Sequence, residues 1–242
     1  MEEDPFFAED LRQMAKAPNY RRWQFSMISP YVKGKVLEVG GGIGNFTADL
    51  AGIAESVVSI EPNFSCYSQL VKRVESLPNV TTLNIAAESL HQHMPPDYQA
   101  DTLICMNVLE HIQQDASALR IFVRLLKTGG KLILLVPAAP AVFGRIDQRL
   151  GHYRRYSKNG LKSVLIESGL DPETIRYFNF VGLCGWWWNA KFAPREKQSD
   201  AQIHFFDRFL VPWLSVAERI LPAPIGQSLL AVGKKLKPVA PT

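Results

Sequence analysis

Glycines at 40, 42 and 44, set directly after the apolar run Val36-Leu37-Glu38-Val39, constrain this chain more than any other feature. An apolar run that breaks into alternating glycines and resumes with helical spacing reads as strand, tight turn and helix, the opening of a nucleotide-binding α/β unit. Glycine at such a turn lets the backbone approach a ligand closely. The helix that follows spans about residues 43–51 and stops near Gly52.

The same rhythm repeats. Val57–Ile60 reads as a second strand, stopped by Glu61-Pro62, and Tyr67, Leu70, Val71 and Val74 carry the i, i+3, i+4, i+7 spacing of a buried helical face. Val80–Ile85 is a third strand and Thr102–Met106 a fourth, continuously apolar as in a strand covered on both sides. Leu119, Phe122, Val123 and Leu126 predict a helix ended by Gly129-Gly130, and Leu132–Val136 a fifth strand. Ser157 is placed to cap a helix carrying Leu161, Val164 and Leu165, Thr174–Phe180 reads as a sixth strand, and Ser228–Val232 as the last. Such alternation implies a doubly wound, mostly parallel sheet with right-handed crossovers.

With 242 residues, 47% of them hydrophobic, the chain suits one α/β domain with an elaboration, or at most two small domains. A net charge of +4 without a basic cluster gives no reason to expect a nucleic-acid partner. Cys66, Cys105 and Cys184 lack paired spacing, so neither a disulfide framework nor a metal site is expected, and a reducing, cytoplasmic setting is the simplest. The acidic start Glu2-Glu3-Asp4 and the lack of an apolar run of about 18 residues argue against a leader or a spanning helix.

The ligand of the turn follows from charge. A dinucleotide fingerprint would place its third glycine at position 45, where this chain has Asn45. The pattern is instead Glu38-x-Gly40-x-Gly42-x-Gly44, with a carboxylate where a pyrophosphate would be repelled and an ammonium favoured. Glu61, at the end of the second strand, is placed to accept hydrogen bonds from ribose hydroxyls. With Met106-Asn107-Val108-Leu109-Glu110-His111-Ile112 after the fourth strand, the chain resembles the class I S-adenosylmethionine-dependent methyltransferases over roughly residues 30–180 and the final strand.

That resemblance implies a Rossmann-like seven-stranded sheet with helices on both faces and a reversed last strand, and S-adenosyl-L-methionine as cofactor. It implies that Gly40, Gly41, Gly42 and Gly44 shape the methionine end of the pocket, Glu61 and Pro62 the ribose end, and that Asn107 and Val108 lie along the cofactor. Many relatives place an aspartate after the third strand to receive the adenine; this chain reads Asn84-Ile85-Ala86-Ala87-Glu88, so that either Glu88 substitutes from a shifted position beside Ala87 or the backbone alone reads the adenine.

Methyl transfer is an in-line displacement that depends chiefly on holding the acceptor close. The acceptor belongs beyond the carboxyl ends of the strands, at the loops after the fourth and fifth. These supply His111 and the segment Gly151-His152-Tyr153-Arg154-Arg155-Tyr156. His152 is the better candidate base and His111 the second. Arg145, Arg154, Arg155 and Tyr156 are candidate acceptor contacts, the arginine pair being suited either to fork onto a carboxylate or phosphate or, equally, to hold its own loop by salt bridges. Trp186, Trp187 and Trp188 cannot share one helix face, since successive residues turn by about 100°; core packing of the cap is the leading reading, with an apolar acceptor, a dimer partner and a membrane interface as the other fates open to them, and Trp186 and Tyr20 are taken as acceptor contacts.

The expected organisation is a single domain over 1–242: an N-terminal helical flank over 1–33, a cofactor-binding core over 34–180, an aromatic-rich helical cap over 181–227, and the last strand and tail over 228–242. The expected activity is methyl transfer to a hydroxyl or carboxylate of a small-molecule, lipid or peptide acceptor, by a monomer or homodimer that is cytoplasmic or peripheral to a membrane. N-methylation and non-catalytic binding of the cofactor are the alternatives.

Overall fold

The computed structural model describes residues 16–192 and 200–236, with side chains placed through Trp188 and again from Asp200. Phe6, Phe7, Leu11 and Met14 of the expected N-terminal flank lie outside them. Helix α1 (Pro18–Ile28) leads into β1 (Lys35–Val39), α2 (Asn45–Ala51), β2 (Ser56–Ile60), α3 (Phe64–Val74), β3 (Val80–Leu83), the short α4 (Leu90–His93) and β4 (Ala100–Met106). Then follow α5 (Asp115–Arg124), β5 (Leu126–Pro137), the short α6 (Arg145–Arg149), α7 (Lys158–Glu167) and β6 (Leu170–Phe178). The cap comprises α8 (Phe180–Phe192), α9 (Asp200–Phe205), a π-helical segment (Phe206–Leu210) and α10 (Val211–Ile220), and β7 (Ser228–Lys235) closes the sheet.

The seven strands lie in the order β3-β2-β1-β4-β5-β7-β6, and β7 alone runs antiparallel to its neighbours. Alternate residues of the inner strands serve two separate cores. Leu37, Leu103, Cys105, Leu132, Leu134 and Ala231 face α5 and α7, where Phe122, Leu119 and Leu165 are fully buried. Val36, Ile104, Ile133, Leu135 and Leu230 face the other way, onto Trp23 and Ile28 of α1 and Val211 of the cap. Cover on both faces explains why these strands read as unbroken apolar runs rather than alternating ones.

Three expectations need correction. Leu126 does not belong to the helix that carries Leu119, Phe122 and Val123; that helix ends at Arg124, and β5 begins at Leu126. Gly129-Gly130 therefore lies inside a strand, where the pairing shifts between Ala100 and Thr102 of β4 and Gly129 takes φ +80°. A glycine pair in a strand marks such an irregularity as readily as a helix end. β6 starts four residues earlier than expected, at Leu170, and ends at Phe178, because Asn179 at φ +62° turns the chain into α8. β3 stops at Leu83, short of Ile85.

The cap is bound to the rest by two carboxylates that each close another helix's N-terminus. Asp207, 3% exposed, accepts hydrogen bonds from the backbone N–H groups of Asn19 (3.2 Å) and Tyr20 (2.8 Å) in the first turn of α1, and from the Asn19 side chain. Glu218 accepts from the backbone N–H groups of Asn179 and Phe180, each at 2.8 Å, where α8 begins. These are first-turn donors with no partner inside their own helices, and negative charge there also meets the positive end of the helix dipole. Pro212 falls at the start of α10, a position that requires no N–H. Among the described residues no helix is long and apolar enough to cross a membrane.

Replacing Asp207 with alanine should lower unfolding stability by about 2 kcal/mol in urea denaturation, since buried first-turn donors lose charged acceptors. Asp207→Asn, which keeps one acceptor oxygen, should lose less.

Candidate functional site

The turn after β1 sits where the sheet changes direction between β1 and β4, the crevice at which open α/β sheets bind ligands. Gly40 and Gly41 both donate to the Ile60 carbonyl at 2.9 Å, which draws the turn against the end of β2. Gly40 has φ +82°, and a Cβ there would lie 2.2 Å from Cγ2 of Val108, the residue expected along the cofactor. A Cβ on Gly41 would lie 2.2 Å from the Ser59 hydroxyl. The backbone of this turn is therefore as close to β2 and the β4 loop as side-chain-free residues permit.

Two carboxylates hold it. Glu61, 2% exposed, accepts from Gly42 N–H through Oε2 and from Asn63 N–H through Oε1, each at 2.9 Å. Burial raises its pKa above the ordinary value while those two bonds oppose the rise. Each oxygen keeps a further lone pair. Asn84 donates to the carbonyls of Glu61 and Pro62, fixing this corner against the end of β3. Glu38, 4% exposed, lies beneath the turn, and its Oε2 accepts from Thr47 (2.5 Å) and Ser59 (2.7 Å). Burial pushes Glu38 from 4.5 to about 7, against the two hydroxyl bonds and with a contribution from Glu61. The sequence reading placed Glu38 opposite an ammonium and gave no part to Thr47 or Ser59; the structure makes all three a brace under the glycines. Ala87 is buried and Glu88 exposed in a turn of 3-10 helix, and Asn107 takes φ +53° at the end of β4.

Next to the turn, two residues past Val108, begins a second polar group. Glu110 is 1% exposed, its Oε2 has no hydrogen-bond partner among the described residues, and burial drives its carboxyl to about 8 despite Arg155 nearby. The His111 and His152 rings meet edge to face with centroids 4.7 Å apart, and burial followed by His152 lowers His111 to about 4. One ligating atom from each of Glu110, His111 and His152 lies within 4.8 Å of the others.

The loop after β5 is shaped by Asp147, which has no solvent exposure. Its Oδ1 accepts from Nδ1 of His152 at 3.0 Å and from Nε of Arg155 at 2.7 Å, and its Oδ2 from Gly144 N–H at 3.0 Å. Burial alone would raise its pKa, but these bonds and the Arg155 charge hold it below the usual carboxylate range. With Nδ1 turned to Asp147, the Nε2 of His152 is the atom left for chemistry. Asp147 is absent from the candidates read from the sequence; its spacing of five residues from His152 is the signal that could have found it.

Arg155 also donates to the Ala138 carbonyl and stacks its guanidinium 4.5 Å from the centroid of Trp186. The arginine pair does not present a free fork. Arg154 pairs with Asp115 at 2.7 Å and donates to the Gln113 carbonyl, and the Tyr156 hydroxyl donates to Asp115 at 2.8 Å, so both anchor the start of α5. Arg145 is exposed at the first position of α6. Tyr20 packs with Trp23, Phe178 and Phe206 beneath the cap, its hydroxyl accepting from Asn179, and burial raises it to about 12.

Residues 8–197 match a family described as "Methyltransferase domain". The ubiquinone biosynthesis O-methyltransferase of Pseudomonas fluorescens (strain Pf0-1) is 33% identical over 100 residues, covering 40% of this chain and 42% of that protein. The ubiquinone/menaquinone biosynthesis C-methyltransferase of Pasteurella multocida (strain Pm70) is 30% identical over 146 residues, 59% of this chain and 53% of that protein. The chain thus spans about half the length of the curated relatives it matches. Among solved structures, the YcgJ protein of Bacillus subtilis superposes with TM-score 0.61 at 14% identity, covering 89% of this chain and 99% of that one. The N-methyltransferase NodS of Bradyrhizobium japonicum WM9, in complex with S-adenosyl-L-homocysteine, gives 0.57 at 15% identity over 98% of this chain and 90% of that one. Likenesses at these identities establish a common fold.

The Glu38 brace has a pH signature. With its folded pKa raised from 4.5 to about 7, the group stabilises the fold below pH 4.5 and loses that contribution as pH rises through 7. Glu38→Gln keeps an acceptor for Thr47 and Ser59 and removes the charge. Its stability relative to the parent chain should therefore increase by about 3 kcal/mol between pH 4.5 and 8 in denaturant titrations; a constant difference across that range would contradict the assignment.

Proposed function

The chain belongs to the methyltransferase-domain family of class I S-adenosylmethionine-dependent enzymes, and from that premise we propose that it methylates an oxygen, hydroxyl or carboxylate, of a small-molecule, lipid or peptide acceptor. The residues around the turn suit the cofactor. Two buried carboxylates, with no room for a Cβ at Gly40 or Gly41, favour a cationic ligand without phosphate, while the nearest arginine, Arg73 against Gly44, is turned to the Asn45 side chain. Glu61 has lone pairs left for ribose hydroxyls, and Gly40, Gly41, Gly42, Gly44, Pro62, Ala87, Glu88, Asn107 and Val108 line the remainder of this site. When bound, S-adenosyl-L-methionine supplies a methyl carbon already activated by a sulfonium.

The observation that carries the oxygen assignment is His152, held by Asp147 and facing His111 and Glu110 two residues beyond the Val108 that abuts Gly40. A carboxylate acceptor needs only positioning. A hydroxyl must lose its proton as the new C–O bond forms, the methyl carbon's bond to sulfur breaks and its electron pair stays on sulfur. His152 and His111 are the groups beside which that proton leaves. Trp186, stacked on Arg155, offers an apolar wall to the acceptor.

The outer face of the cap supports contact with an anionic membrane surface, from which a lipid acceptor would come. Phe205, Phe209, Trp213, Val216 and Ile220 fall three or four residues apart along one helical stripe, and Trp213 and Ile220 are each 79% exposed. In the same stretch Asp207 and Glu218 turn inward onto helix N-termini while Arg208 and Arg219 face solvent. An exposed face of aromatic and aliphatic groups flanked by arginines, with the carboxylates of that stretch turned inward, has the composition of an interfacial helix.

Incubation of the full chain with methyl-labelled cofactor and a panel of hydroxyl, carboxylate and amine acceptors should yield ethers or esters. Methylation confined to nitrogen, or cofactor binding without turnover on any acceptor, would overturn the assignment. Glu61→Gln should weaken S-adenosylhomocysteine binding roughly tenfold or more in calorimetry. In flotation assays the chain should rise with phosphatidylglycerol-containing vesicles, and Trp213→Glu combined with Ile220→Glu should abolish this while leaving the fold intact.

A further inference from the structure

We infer that Glu110, His111 and His152 form a binding site for one first-row divalent cation, with the acceptor oxygen completing its coordination. The inference rests on the oxygen assignment above for its consequence, though not for its geometry. Two imidazoles and a carboxylate are the donor set of three-ligand catalytic zinc sites, which keep a fourth position open for water or substrate. Their ligating atoms lie within 4.8 Å of one another here. Tetrahedral bonds of about 2.0–2.1 Å would bring them to about 3.4 Å apart, so an ion would draw the three side chains inward.

Two independent observations point to a cation. Glu110 is 1% exposed, and its Oε2 is sealed from solvent without a hydrogen-bond donor among the described residues, although buried carboxylates in folded proteins are ordinarily satisfied. Arg155, the nearest fixed positive charge, is already engaged by Asp147, the Ala138 carbonyl and the Trp186 ring. The second observation is the support around His152. Asp147 accepts from its Nδ1 at 3.0 Å and is itself fixed by Arg155 and Gly144 N–H. A ligating histidine typically donates its other N–H to a carboxylate in this way, which sets the tautomer and aims the second nitrogen at the ion.

The three ligands come from loops after two adjacent strands, β4 and β5, at the carboxyl edge of the sheet. The site therefore lies beside Val108 and the glycine turn, where the acceptor and donor must meet. A cation there would lower the pKa of an acceptor hydroxyl, so that its proton is released to water before the oxygen is methylated, the two histidines then serving as ligands in place of the proton-accepting role given them above. Softer imidazole donors favour zinc, iron or nickel over magnesium.

The test is titration of the full chain, stripped with a chelator, with Zn2+ against a chromophoric competitor. One equivalent should bind, and Glu110→Gln and His152→Ala should each weaken binding at least tenfold while S-adenosylhomocysteine binding persists as evidence of a folded core. Co2+ bound to the parent chain should give visible absorption of a low-coordinate site, which Asp147→Asn shifts or weakens. No stoichiometric binding, or Zn2+ affinity unchanged in Glu110→Gln, overturns the cation site. Once an acceptor is known, full-rate O-methylation by the stripped chain would overturn it while leaving the oxygen assignment intact. Products methylated only on nitrogen would do the reverse, leaving zinc stoichiometry as the measure of the site.

Discussion

One carboxylate without solvent exposure, Asp147, gives the loop after β5 its shape. It takes three hydrogen bonds from residues spread over twelve positions of chain, Gly144, His152 and Arg155. The Arg155 side chain it pairs with is 1% exposed. A buried ion pair earns its place only when every remaining donor is satisfied, and here the guanidinium also reaches the Ala138 carbonyl and the Trp186 ring. The result is a chain of contacts from β5 through the loop to the cap. His152 is one link of it, so the orientation of its imidazole is inherited from the packing of the whole corner.

A different economy governs the donor side. Glycines make the turn after β1 close enough to β2 and the β4 loop that Val108 and Ser59 occupy the space of absent side chains. Glu38 and Glu61 then work at two depths: Glu61 ties the turn to the end of β2, and Glu38 ties the helix after the turn to the same strand through Thr47 and Ser59. Charge that looks like ligand recognition in one dimension is partly architecture in three. Both carboxylates still leave the cradle electronegative, the condition a sulfonium ligand requires.

How far the sequence disclosed this depends on how local each feature is. The strand-turn-helix at 36–51 and the alternating elements through Val136 are encoded within windows of ten or so residues, and the sheet they imply is the one observed. Gly129-Gly130 was misleading because the same dipeptide suits a helix end and a strand irregularity, and only the register of β4 against β5 separates them. The pairing of His111 with His152 crosses 41 positions and two strands, and the partners of Arg154 and Tyr156 meet at Asp115 only once α5 is placed. Pairwise contacts between loops leave no periodicity, so the pattern that reveals the sheet is silent about them.

The reversed strand β7 has a consequence for the order in which the molecule is made. Among the described residues β6 pairs with no strand except β7, and β7 begins about 50 residues after β6 ends. During synthesis the first five strands can assemble as they emerge, whereas β6 waits, unpaired, until the entire cap has left the ribosome. Pairing across long sequence separation is slow to form, and the aromatic cap leaves the ribosome before the strand that fastens its far end. The nascent chain is thus most exposed to misassembly at the element that carries its greasiest surface, late and only once per molecule.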